Sequence, residues 1–129
     1  MTLTSSQTDG NGLPDGFDEI GLYVHGSQLL ARCAGGDEGA FASLLSPLRR
    51  GEWTYLALTW TKDRRVLYVN GQVAAEVKGD FPLPKLDDFP GRLGGHPPSG
   101  RWSWDGDLDE LRVYRRCLSD AAVAAVARR

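Results

Sequence analysis

A chain of 129 residues has the length of one ordinary domain and can bury a real core. Its 41% apolar and 25% charged residues are ordinary for a folded protein, and a net charge of −2 gives no electrostatic drive toward nucleic acid or an anionic membrane. No apolar run is long enough to span a bilayer, and the opening Met-Thr-Leu-Thr-Ser-Ser lacks the basic-then-apolar order of a secretory signal.

Residues 1–16 are rich in Ser, Thr, Gly, Asn and Asp, with turn signals at Gly10-Asn11-Gly12 and Pro14-Asp15-Gly16, and read as a flexible tail ahead of a single domain over 17–129. Strands are expected at Ile20 to His25 and Gln28 to Cys33, separated by the turn Gly26-Ser27, and at Ala40 to Leu45. Trp53 to Thr61 is the cleanest strand. Leu56, Leu58 and Trp60 share one face and Tyr55, Ala57 and Thr59 the other, so it is expected centrally in its sheet, covered on both sides. After a polar turn at Lys62-Asp63-Arg64, Val66 to Asn70 continues as a strand. Asn70-Gly71 is a strong two-residue hairpin signal, with Val73 to Val77 as the returning arm.

From Gly79 to Pro98 prolines and glycines argue for irregular chain, broken by a short strand near Arg92-Leu93-Gly94. Leu108 to Arg115 alternates again as a closing strand, and Ser119 caps a short helix with Asp120 in its first turn and Val123 and Val126 on one side. Parity assigns Trp53, Leu56, Leu58, Trp60, Leu67, Val69, Leu111 and Val113 to the core. The basic pairs Arg49-Arg50, Arg64-Arg65, Arg115-Arg116 and Arg128-Arg129 read as solvated strand ends and turns. Cys33 and Cys117 are too few for a disulfide scaffold; they are two buried free thiols or a single bridge.

Three of these stretches carry a family resemblance. Gly51-Glu52-Trp53-Thr54-Tyr55-Leu56-Ala57-Leu58-Thr59-Trp60 resembles the tryptophan strand of laminin-G-like domains, within the concanavalin A-like lectin/glucanase superfamily. Arg65 to Gly71 is similar to that family's L-Y-V-[DN]-G hairpin, and Gly106 to Tyr114 followed by Leu118-Ser119 to its closing D-E-[VL]-R-[IV]-Y motif. The resemblance covers residues 51–126. It implies an all-β, antiparallel two-sheet sandwich, a jelly roll, with one short C-terminal helix. Family members usually carry further strands ahead of the tryptophan strand, so this fold is expected to be shortened at its N-terminus. Its edge would then be left for missing N-terminal strands or another chain to cover.

The function implied is a non-catalytic carbohydrate- or protein-binding module, accessory to a larger protein and extracellular or at the cell surface. The alternative is an interaction or oligomerisation domain completed by strand pairing with another chain or segment. Its partner is a glycan or a protein surface, without membrane insertion. A minimal glycoside hydrolase is a third reading, because Asp105, Asp107 and Asp109 alternate as the acids of related glycosidases do. Against it, the outer acids are the shorter Asp, and Gly106 suits a turn better than a catalytic strand. No enzyme is expected.

Trp102, with Arg101, His96 and Trp104 nearby, is the sugar-stacking candidate; Trp104 has a core or lid position as its plainer reading. With His25 as the only other histidine, neither a histidine zinc site nor a catalytic triad can be assembled. Asp109 falls on the face of Leu111 and Val113, and a carboxylate there needs backbone amides, an arginine or a metal ion to hold its charge. A structural calcium is the one cofactor considered, and loop amides are the favoured holder.

Overall fold

Short-range pattern places most of the elements. The computed structural model describes residues 2–3, 20–25, 28–33, 40–44, 49, 51–80, 91–92, 94 and 105–128. Eight strands and one helix lie within them: β1 (Thr2–Leu3), β2 (Ile20–His25), β3 (Gln28–Cys33), β4 (Ala40–Leu44), β5 (Leu56–Trp60), β6 (Arg64–Val69), β7 (Gln72–Lys78), β8 (Gly91–Arg92) and α1 (Asp120–Ala127). They build a five-stranded sheet in the order β4-β3-β2-β1-β8 and a three-stranded sheet in the order β5-β6-β7. Every pairing is antiparallel. Thr2 and Leu3, inside the stretch expected to be a tail, pair with both β2 and β8. The turn Gly26-Ser27 lies outside the described residues.

The three-stranded sheet is a meander made by two tight turns. Thr61 and Arg64 close the first: the Thr61 N–H donates to the Arg64 carbonyl at 2.7 Å, and the Thr61 hydroxyl donates to Asp63 Oδ1 at 2.7 Å. Asn70 and Gly71 close the second with φ of +51° and +79°, the left-handed pair that a twisted two-residue hairpin requires. Asn70 also ties the turn back to the start of β5. Its Oδ1 accepts from the Tyr55 N–H at 3.0 Å while its own N–H donates to the Tyr55 carbonyl at 2.8 Å. Between Leu67 and Tyr68 the register on β7 slips from Ala75 to Val73, a bulge that sharpens the local twist.

β6 is the spine of the packing, because both its faces are covered. Leu67 is fully buried, with Leu22, Leu56, Leu58, Val69 and Ala75 packed around it; Leu22 comes from β2, so this is where the two sheets touch. On the opposite face Val66 and Tyr68 pack against Val123 of α1, joined by Tyr55, Ala57 and Leu118. β5 is therefore covered on both faces as expected, yet it is an edge of its sheet among the described residues rather than a central strand. Burying Leu67 alone contributes about 1.5–3 kcal/mol.

α1 starts as its sequence dictates. Ser119 caps it from an extended backbone (φ −69°, ψ 160°), its Oγ accepting from the Ala122 N–H at 3.2 Å. The helix is docked closely against the hairpin turn, where a Cβ built on Gly71 would stand 3.0 Å from Ala127 Cβ and 3.1 Å from Ala124 Cα.

The expected closing strand is not a strand. Residues 105–119 are irregular chain, and residues 105–117 are exposed throughout. No described strand pairs with the segment, and Glu110 sits at φ +53°, which breaks the extended backbone, with its N–H taken by Asp109 Oδ1 at 2.7 Å. Parity therefore fails there. Leu111 is 52% exposed and Val113 69%, and Trp53, ahead of β5, is 70% exposed; none of these three belongs to the core. Cys117 is a free thiol on the surface, not a buried one.

Candidate interaction surface

The run from Asp105 to Cys117 joins the last part of the chain to α1 and carries more exposed apolar side chain than any other described stretch. Leu108, Leu111, Val113 and Tyr114 all lie open to solvent on it. Large apolar side chains scattered singly are normal on a surface, whereas several on one short segment mark a contact site. Tyr114 and Arg112 of the segment lie within electrostatic reach of Tyr55, just ahead of β5. The Tyr55 phenol is pushed above its usual value chiefly by partial burial, then by the nearby Tyr114, with Arg112 pulling the other way. Trp53 stands two residues before Tyr55, so aromatic surface continues at that end of the strand.

Charge on the segment is ordered. Asp105, Asp107, Asp109 and Glu110 come first, then Arg112, Arg115 and Arg116. Arg112 Nη2 donates to Glu110 Oε2, and this neighbour holds the guanidinium charged more firmly than usual. Asp109 is exposed and does not point into the core, so its charge needs no buried holder; among the described residues its partner is the adjacent Glu110 amide. Among the described residues no group of three or more His, Cys, Asp or Glu side chains is arranged to hold a metal ion. His96, Arg101, Trp102 and Trp104 lie outside the described residues.

A second polar constellation, which sequence reasoning missed, fastens α1 to the sheet. Arg64 donates through Nε and Nη2 to Glu76 at 3.1 and 3.3 Å, and through Nη1 and Nη2 to Asp120 at 3.0 and 3.1 Å. The Tyr68 hydroxyl donates to Asp120 Oδ1 at 2.7 Å and stands 3.4 Å from Thr59 Oγ1. Arg64 and then Tyr68 hold the Asp120 carboxyl below the ordinary carboxylate range, and Arg64 does the same for Glu76. Burial is the main reason the Tyr68 phenol is raised. Arg64 and Arg65 are thus not solvated strand ends: Arg64 is half-buried and Arg65 is buried, 5% exposed. Strand parity did hold a signal, since Arg64, Val66 and Tyr68 alternate onto one face of β6. Nothing local says that Asp120 will land there.

Arg64, Glu76, Asp120 and Tyr68 all find partners within the constellation, so it reads as a clamp. Among the described residues, exposed large apolar side chains gather on the 105–117 segment. The sequence profile of the laminin-G-like family described as the concanavalin A-like lectin/glucanases superfamily matches residues 2–124. The chain belongs to that superfamily.

As a laminin-G-like domain it also resembles a solved structure, that of an S-layer domain-containing protein (residues 221–444) from Clostridium thermocellum ATCC 27405, with a TM-score of 0.54 and 20% sequence identity. That match covers 92% of this chain and 59% of the other, and at such identity it speaks for the fold alone. No protein of curated function matches the chain. No helix among the described residues of this laminin-G-like domain is long and apolar enough to cross a membrane.

Proposed function

We propose that this laminin-G-like domain is a non-catalytic binding module, an accessory part of a larger protein working outside the cell or at its surface, and that it recognises a protein surface through the exposed 105–117 segment. The single observation that supports this is the set of large apolar side chains on that segment, Leu108, Leu111, Val113 and Tyr114, left in solvent beside ordered charge. Keeping such a surface open is costly unless a partner covers it. The superfamily match supports a two-sheet jelly-roll sandwich as the frame behind it. Glycan recognition through Trp102, with Arg101, His96 and Trp104, is the other arm of the same reading. No cofactor is part of it.

The reading against an enzyme follows from side-chain chemistry. A retaining pair of carboxyls needs a fixed separation of about 5 Å and one raised pKa. Asp105, Asp107 and Asp109 are all exposed on irregular chain, which neither fixes a separation nor shields a proton.

The test offers the chain a panel of glycans and chromogenic glycosides while light scattering reports its mass. Expected are no turnover, and self-association that the double variant Leu111→Ser/Val113→Ser weakens at least about tenfold without moving Tm, while glycan binding, placed at Trp102, does not respond to it. Turnover by the wild type, association untouched by the double variant, or a collapse of its Tm overturns the proposal.

A further inference from the structure

Resting on the reading of the 105–117 segment as a contact surface, we propose that its partner is a second copy of this chain, joined by antiparallel pairing of residues 107–115 with the same residues across a two-fold axis.

Three observations meet on this segment. Its residue types alternate as a strand's do, its apolar side chains are exposed, and no described strand pairs with it. Its backbone leaves the extended form at Glu110. Glu110 holds a left-handed φ of +53°, a conformation that favours glycine or asparagine over glutamate, and its side chain folds back onto Arg112. Both features are local and exposed, so a neighbouring strand can exchange them for extended backbone and cross-strand contacts.

The charge order selects the neighbour. Acids occupy the first half of the segment and arginines the second, so the segment run backwards is its own electrostatic complement. A two-fold axis normal to an antiparallel pair brings residues of like parity opposite each other, which leaves few registers. Placing Glu110 on its own copy, or Arg112 on its own copy, sets like charges face to face. The register between these two puts Leu111 on the axis against its copy. Glu110 then faces Arg112 of the second copy, Asp107 faces Arg115, and Leu108 faces Tyr114. The Glu110–Arg112 pair made within one chain is remade between two. An unrelated strand edge brings no such ordered complement, and a symmetric pairing counts each favourable contact twice.

The test is charge exchange on the full chain, read by sedimentation across a concentration series with circular dichroism as the check on folding. Glu110→Arg and Arg112→Glu each set like charges together at two symmetric places, so each variant alone should dimerise at least about tenfold more weakly than the wild type. Mixed in equal amounts they should form a heterodimer, because each supplies the charge the other lacks. The doubly exchanged variant Glu110→Arg/Arg112→Glu should pair with itself like the wild type. In the wild-type dimer the Leu111 and Val113 amides should gain protection from hydrogen exchange.

A wild type that stays monomeric at its highest soluble concentration, or a dimer that ignores both single variants, overturns self-pairing. So does a mixture that fails to recover. If Leu111→Ser/Val113→Ser weakens a self-association that ignores both single charge variants, pairing in this register alone falls and the contact surface stands. If self-association does not respond to that double variant either, both proposals fall.

Discussion

Arg64 grips Asp120 with both arms of its guanidinium, Nη1 to Oδ1 at 3.0 Å and Nη2 to Oδ2 at 3.1 Å, across 56 residues of sequence. Asp120 is the first residue of α1 and Arg64 the first of β6, so one fork joins the helix start to the central strand of the three-stranded sheet. A planar guanidinium suits this bidentate geometry in a way lysine does not. Arg64→Lys should therefore loosen the helix nearly as much as Arg64→Ala, seen as lost amide protection over residues 120–127 while β5 to β7 stay protected.

Acid should release the same clamp. Asp120 and Glu76 have folded-state values held below their unfolded ones, so their contribution is whole above the unfolded values of about 4 and is lost as pH falls through the lower folded ones. Tyr68 is raised, and its sign is opposite: its contribution is whole below the unfolded value of about 10 and fades as pH rises beyond it. Melting temperature against pH should be level between these limits and drop on both sides. Asp120→Asn should flatten the acid limb and Tyr68→Phe the alkaline one. An unchanged acid limb in Asp120→Asn would remove the clamp from the account of stability.

Core substitutions should rank by burial rather than by strand parity. Leu67→Ala empties a fully buried site and should cost about 2–5 kcal/mol in urea unfolding. Leu111→Ala, exposed on the outer segment, should stay within about 0.5 kcal/mol of wild type. A large loss for Leu111→Ala in the monomer would place that side chain in the core after all.

Two glycines share a φ of +79° and separate backbone strain from close packing. Gly51→Ala meets open space, so it should cost only the left-handed penalty of about 1–2 kcal/mol. Gly71→Ala adds a methyl 3.0 Å from Ala127 Cβ and 3.1 Å from Ala124 Cα, so it should cost more and shift the helix. Equal losses in chemical unfolding would mean that α1 is not pressed onto the hairpin.

Asp109→Asn should leave stability within about 0.5 kcal/mol of wild type, because the side chain is exposed and its resolved contact is the neighbouring amide. A chelator should do nothing to the melting temperature of either protein. A chelator-induced drop that the variant abolishes would assign Asp109 to a calcium site.

The sequence by itself determined everything that depends on neighbours a few residues apart. Alternation placed β2 and β3 at their observed bounds and β4 within a residue, Asn70-Gly71 set the hairpin, and Ser119 with Asp120 opened the helix. The family motifs were legible for the same reason, being short runs with fixed order.

Tertiary structure decided what alternation cannot carry. Leu111 and Val113 have the parity of core residues, but parity only sorts side chains onto two faces; which face is covered depends on what lies beside the strand, and one left-handed residue, Glu110, cancels the sorting altogether. Arg64 looked like half of a solvated basic pair because its partners, Glu76 and Asp120, arrive from β7 and from α1, 12 and 56 residues away. Chain-distant charges meet only once the sheet and helix have packed, and no local pattern encodes that meeting.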